Sequence, residues 1–175
     1  MNTLAFKIST AIKNANPEET GSIEVLQYSL NIILNTFLII TCSLFFGWLL
    51  NNTAATLLFF ASFSVLRIFS GGFHLRTATA CNIVTTLLCV LTPYFFILTG
   101  SFLLMALNMI SFIIMCFFAP NPDKNARIPY HWFPHLKVIS IFLVACNFFI
   151  GSSVLGLAFF VQSLTVLPWK RRLKL

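Results

Sequence analysis

Val138-Ile-Ser-Ile-Phe-Leu-Val-Ala-Cys-Asn-Phe-Phe-Ile-Gly-Ser-Ser-Val-Leu-Gly-Leu-Ala-Phe-Phe-Val-Gln-Ser-Leu-Thr-Val-Leu-Pro-Trp169 is a run of 32 residues without one charge. As a single helix it would be about 48 Å long at 1.5 Å per residue, against a hydrocarbon core of about 30 Å. Gly151-Ser152-Ser153, near its middle, offers a break. Either one long tilted helix or two short ones fit the run, and the choice decides whether the chain crosses a membrane five or six times.

The rest of the chain helps to decide. Val25 to Leu66 is uncharged and holds two spans, with Asn51-Asn52-Thr53 as the turn. Thr77 to Pro122 is uncharged and holds two more, divided near Thr99-Gly100-Ser101. With the N-terminus inside, Arg67 and Arg76 fall on an inner connection, as do Lys124, Arg127 and Lys137. The turns at 51–53 and 99–101 fall outside and carry no charge. Two helices in the last run bring Lys170-Arg171-Arg172-Leu173-Lys174 back inside, and every inner connection is then the basic one. The expectation is an all-α polytopic membrane protein with about six spans, near 24–50, 53–68, 77–98, 101–118, 138–150 and 154–168. Several are short, so tilt or local thinning is expected. The organisation is a single integral-membrane domain over 1–175: an N-terminal segment 1–21, a bundle 24–168 and a basic cytoplasmic tail 169–175.

Composition supports the same class. Hydrophobic residues make up 58% of the 175 and charged residues 9%, where a soluble domain carries about 25% charged. The formal net charge of +7 fits cytoplasmic loops better than a nucleic-acid surface. Residues 4–15 put Leu4, Ile8, Ala11, Ile12 and Ala15 on one helical stripe, the pattern of an amphipathic helix lying in the interface. Asn16-Pro17 ends it, and Ser22 can cap the next helix with Glu24 in its first turn. Five cysteines, four of them inside apolar runs (Cys42, Cys89, Cys116, Cys146), argue against a disulfide framework. The loop Ala119–Lys137 holds four prolines, which disfavour a regular helix. His131 and His135 have an i,i+4 spacing, but Pro134 falls between them and no Cys or Glu completes a metal set. Tyr130, Trp132 and Phe133 read instead as an interfacial anchor. No cofactor and no metal are expected.

Chemistry has few places to go. Glu18, Glu19 and Glu24 precede the first span and Asp123 stands alone, so paired-carboxylate and His-Glu zinc chemistry lack their groups. What remains is His74 and Cys81, in Arg67-Ile-Phe-Ser-Gly-Gly-Phe-His-Leu-Arg-Thr-Ala-Thr-Ala-Cys81. On one straight helix, residues seven apart lie about 10.5 Å apart along the axis, too far for a sulfur–nitrogen hydrogen bond. A working pair therefore needs a bend, and Gly71-Gly72 supplies one. Thr77 is the candidate N-cap of the third span, which puts Cys81 near its start and His74 on the preceding bend as base. Arg67 could hold a substrate carboxylate or brace the turn. The first-turn N–H groups could stabilise an oxyanion, and Asn82 is a weak candidate for a third member. Taken singly, the histidine, the cysteine, the glycines and the arginines also read as an interfacial side chain, helix filler, a turn and topology markers.

The pattern Arg67…Gly71-Gly72-Phe-His74…Cys81 resembles the signature of the accessory gene regulator protein B family, membrane cysteine endopeptidases of bacterial quorum sensing. The span layout and the loop Ala119-Pro120-Asn-Pro122-Asp123-Lys124 are similar as well. The resemblance implies that Cys81 attacks the scissile carbonyl, with His74 as base. The substrate would be a short amphipathic precursor peptide with an acidic C-terminal tail. A thioester acyl-enzyme would follow, and then a cyclic thiolactone or lactone. Arg67, Arg76, Lys124 and Arg127 would attract the acidic tail at the cytoplasmic face of the cell membrane, although the loop's basic character is modest. A transporter or peptide exporter without proteolysis, and a scaffold acting through 119–137, are the competing readings. Apolar spans rich in Phe, Gly and Ser lean towards a homodimer.

Overall fold

A computed structural model describes residues 2–73, 75, 77–94, 100–122 and 128–168. Among them are seven α-helices: α1 (Asn2–Ala15), α2 (Ile23–Leu49), α3 (Thr53–Ser70), α4 (Ala78–Leu91), α5 (Ser101–Phe118), α6 (Phe133–Ile150) and α7 (Ser153–Val166). Four are long and apolar enough to cross a membrane: α2, α3, α5, and α6 with the 3-10 turn Tyr130–Trp132 that leads into it. The apolar helices over Ala78–Tyr94 and Ser153–Val166 are shorter. Phe102 and Phe149, 87% and 92% exposed, show what surrounds the bundle: rings this large left uncovered on helices this apolar fit lipid, not water.

The breaks have local causes. Asn51 takes a positive φ of 53° between α2 and α3, a conformation asparagine tolerates better than most residues. The run 138–169 is two helices. Gly151 closes α6 in the left-handed conformation, and the Ser152 hydroxyl caps α7 by accepting from Leu155 N. Ser22 does the same for α2 through Val25 N. The sixth helix begins at Phe133, five residues before the 138 expected. Pro134 occupies the first helical turn, where no backbone donor is needed, so the proline opens the helix instead of excluding it. The fourth ends as a regular helix at Leu91, short of 98, and residues 95–99 lie outside the described part.

α7 is the hub of the packing. It lies against α3, α5 and α6, and Gly156, Leu157, Ala158, Phe159, Gln162, Ser163 and Val166 are buried. Two apolar clusters meet on it, one with Leu66, Met115 and Val144 and one with Phe59, Phe63 and Cys89. A Cβ on Gly156 would come 2.5 Å from Leu104 Cδ1, so a side chain there would make Leu104 of α5 shift. Fourteen residues make a helix of about 21 Å, and a helix surrounded by protein need not match the lipid thickness. Next to it Asn147 Nδ2 donates to Asn108 Oδ1 at 3.3 Å, Asn108 Nδ2 to Val144 O at 3.4 Å, and Ser152 N to Asn147 Oδ1 at 3.1 Å, tying α5 to α6 and to the head of α7.

The N-terminal helix forms, and the apolar stripe is the face that the bundle leaves uncovered, apart from the half-buried Ile8. Ala5 and Ser9 are its buried residues, and it packs on α2. Leu4, Ala11, Ile12 and Ala15 are exposed. Small side chains let two helices approach closely, so the larger apolar residues are turned outward.

Candidate functional site

The last turn of α3 carries Arg67, and Gly71 N donates to Arg67 O at 2.9 Å to end the helix. The chain then turns sharply. Gly71 has φ 70° and Gly72 φ 134°, both in the region that favours glycine. Space forbids a side chain as well: a Cβ on Gly71 would lie 2.6 Å from the backbone carbon of Asn121. One on Gly72 would run into the Thr165 hydroxyl. Backbone bonds fasten this turn to two distant segments. Gly72 N donates to Asn121 O and Phe73 N to Thr165 O, each at 2.9 Å, and Asn121 N donates to Ser70 O at 2.8 Å. The Asn121 amide adds a bond to Val166 O at 3.0 Å.

Arg67 braces the same turn from within. Its Nη2 donates to Phe73 O at 3.0 Å, and its Nη1 to Gln162 Oε1 at 3.3 Å and Thr165 Oγ1 at 3.5 Å. The guanidinium carbon sits 5.8 Å from the centre of the Phe63 ring, within cation–π range. Gln162, 0% exposed, uses both ends of its amide. Nε2 donates to Ser70 Oγ at 3.0 Å and Gly71 O at 2.6 Å, while Oε1 accepts from Arg67 and from Thr165 Oγ1. A buried amide satisfied at each atom fixes its neighbours. Residues 70–73 are therefore held by α3, α7 and the segment at 121 together, immediately before His74.

On the far side of the bend Thr77 caps α4, its Oγ1 accepting from Ala80 N at 3.2 Å and its carbonyl from Cys81 N at 3.1 Å. Cys81 stands one turn into the helix, half-buried, with a free thiol. It lines a cleft of about 510 Å³ between α2, α3 and α4, whose wall also includes Arg67, Asn31, Asn35 and Asn82. Asn82 Nδ2 donates to Asn35 Oδ1 at 2.8 Å. A second cavity, about 190 Å³, lies against Gly71, Gly72, Pro120 and Pro122, and Tyr28 and Arg67 line both.

The structure thus brings Arg67, Gly71, Gly72 and Cys81 to one end of the bundle. His74, Arg76, Lys124 and Arg127 lie outside the described residues. Sequence reasoning missed Ser70, Asn121, Gln162 and Thr165, which hold the turn, and Asn31 and Asn35, which face Cys81 across the cleft. Gln162 is the one glutamine in the run 138–169, and Asn31 and Asn35 stand one helical turn apart in an uncharged run. Those were the available signals.

Residues 3–167 match the family model described as Accessory gene regulator B. The chain is 29% identical over 177 aligned positions to the accessory gene regulator protein B of Staphylococcus intermedius, covering 90% of each chain. To that of Staphylococcus aureus (strain bovine RF122 / ET3-1) it is 29% identical over 155 residues, 82% of this chain and 81% of the relative. A putative AgrB-like protein of Halalkalibacterium halodurans is 32% identical over 84 residues, 48% of this chain and 43% of the relative. No solved structure matches it. A match running from the first turn of α1 to the end of α7 takes in the turn, the cleft and all seven helices, and the chain belongs to the accessory gene regulator B family.

Proposed function

We propose that the chain is a membrane cysteine endopeptidase that cuts a quorum-sensing precursor peptide and passes its acyl group on to form a ring. The observation that carries this is the placing of Cys81 one turn into a capped helix, on the wall of a cleft that also holds Arg67. The turn that delivers His74 is fixed to α7 beside it. In this reading the Cys81 sulfur attacks the scissile carbonyl while His74 takes the thiol proton. The carbonyl oxygen becomes an oxyanion. Thr77 occupies the N–H groups of Ala80 and Cys81, so the donors at the helix end assigned to that oxyanion are those of Ala78 and Thr79. The carbon–nitrogen bond breaks as His74 returns the proton to the leaving amine, leaving a thioester. A thiol or hydroxyl within the peptide then attacks the thioester, closing a thiolactone or lactone and freeing Cys81. A cleft that excludes water favours this transfer over hydrolysis.

Six crossings complete the picture, α2 to α7, with α7 short because neighbours, not lipid, cover much of it and α4 short enough to need tilt or local thinning. Both termini and the Cys81 end then face the cytoplasm, where Arg76, Lys124 and Arg127 draw in an acidic tail. The exposed Leu4, Ile12 and neighbouring residues of α1 lie in the membrane interface.

Co-expression with a candidate precursor tests the activity. Cys81→Ala and His74→Ala are expected to abolish the shortened peptide while the protein stays at normal level in the membrane. Processing that survives Cys81→Ala overturns the reading and favours an exporter.

A further inference from the structure

The cleft between α2, α3 and α4 has a construction that cysteine chemistry alone does not require. Each helix presents it with a stripe at helical spacing: Tyr28, Asn31 and Asn35 on α2, Phe63 and Arg67 on α3, and Ala78, Cys81, Asn82 and Thr85 on α4. Tyr28 lies in the second turn of α2, Arg67 in the last of α3 and Cys81 near the start of α4, so all three mark the same end of the bundle. The lining continues inward to Ile39 on α2 and Thr85 on α4. At 1.5 Å per residue, Tyr28 to Ile39 spans about 16 Å and Ala78 to Thr85 about 10 Å. The cleft runs from the thiol towards the middle of the bundle.

Two features of its wall point to an occupant. Among the described residues Asn31 Oδ1 is buried and has no hydrogen-bond partner, a costly state in an apolar surround. One turn deeper, Asn35 is bound to Asn82 through its oxygen, which commits its Oδ1 and not its NH2 group. Asn31 and Asn35 are about 6 Å apart along the axis. An extended peptide repeats its outward N–H and C=O groups every two residues, about 6.6 Å. The two amides match that period, one offering an acceptor and the other a donor. Among the described residues Arg67 is the one charged residue of the lining; it stands at the mouth, already bound to Phe73 O.

We infer that this cleft is the binding site for the acyl-side segment of the peptide substrate. Three to five uncharged residues lie extended down it, with the scissile carbonyl at Cys81 and backbone groups on Asn31 and Asn35. This rests on the endopeptidase reading and adds the substrate's class and direction. A lipid acyl chain would fill the same volume but leave Asn31 Oδ1 unpartnered.

Acetylated peptidyl chloromethyl ketones of one to five uncharged apolar residues test it on the purified full-length protein. Cys81 displaces chloride to form a carbon–sulfur bond, and the rate is divided by that for iodoacetamide, which has no peptide part. The ratio is expected to rise with peptide length. Asn31→Leu should lower it about tenfold for the longer peptides, the effect of one hydrogen bond. N-methylating the peptide nitrogen that meets Asn31 should lower it similarly in the wild type and remove the sensitivity to Asn31→Leu. A ratio flat with length overturns the inference. So does equal performance by alkyl chloromethyl ketones of matched length, which would assign the cleft to lipid. Failure of the endopeptidase reading has a separate signature: iodoacetamide modifies Cys81 no faster than Cys42 or Cys146.

Discussion

Replacing Gln162 with leucine keeps the volume and removes the amide that joins Arg67 to the glycine turn. Arg67 Nη1 loses its 3.3 Å acceptor, and Ser70 Oγ and Gly71 O lose their donor. Arg67 keeps Phe73 O and Thr165 Oγ1, and Ser70 Oγ can still donate to Gly71 O at 3.3 Å. A hydrogen bond to a charged group contributes about 1.5–3 kcal/mol, and Arg67 is half-buried. With part of the network retained, the penalty is about 2–3 kcal/mol, or about 30- to 160-fold. It must surface in one of two places. If the turn stays shut, the orphaned groups lower the thermal stability of the detergent-solubilised protein. If the turn opens, stability is spared and single-turnover cleavage of the precursor slows by up to that factor. Gln162→Glu keeps an acceptor for Arg67 but sets a carboxylate oxygen where Nε2 lay 2.6 Å from Gly71 O, acceptor against acceptor, so it should hold Arg67 without restoring the turn. Wild-type stability together with wild-type cleavage in Gln162→Leu would refute the bracing role.

The glycines should differ in how they can be rescued. Gly71→Ala meets the backbone of Asn121, and its positive φ adds strain of about 1–3 kcal/mol; no single side-chain change elsewhere should restore it, as read by melting temperature and membrane level. Gly72→Ala meets the Thr165 side chain, so Thr165→Ala should recover part of the lost stability and leave the φ strain. In the other polar cluster, Asn108→Leu alone strands the Asn147 NH2 group, while its Oδ1 keeps Ser152 N, and should cost about 1 kcal/mol. The double change with Asn147→Leu should cost less than the two singles combined, because a matched pair is removed. Additive losses in unfolding measurements would count against the pairing.

Local chemistry was the legible part of the fold. Ser22, Thr77 and Ser152 accept from the residues three positions on that capping requires, and the chain turns at Asn51, Gly71 and Gly151, where the sequence offers breaks. Pro134 was misleading because a proline excluded from a helix interior is welcome in its first turn. On α1 the periodicity picks out the apolar stripe that stays uncovered, Leu4 and Ile12 among it, but not the small residues Ala5 and Ser9 that meet α2, because spacing finds an apolar face without saying what covers it. At the site, Arg67, Gly71, Gly72 and Cys81 stand out by residue type and spacing. Gln162, Asn121, Asn31 and Asn35 do not, since an amide in an apolar run looks the same whether it meets a lone carbonyl or a charged side chain. Their roles depend on contacts across as many as 95 positions, and spacing within one element carries no information about those.

Biosynthesis gives the central place of α7 a further meaning. Arg67 and the glycine turn leave the ribosome well before the helix that holds them, because Gln162 follows Arg67 by 95 residues. Until α7 is inserted, Phe73 N lacks Thr165 O and Gly71 O lacks the Gln162 amide. A 14-residue helix is shorter than the about 20 residues a span needs, and its packing on α3 and α5 waits for those helices to be in place. The order of synthesis is then the order of assembly: Cys81 is made early, and the turn beside it sets only once α7 has been translated.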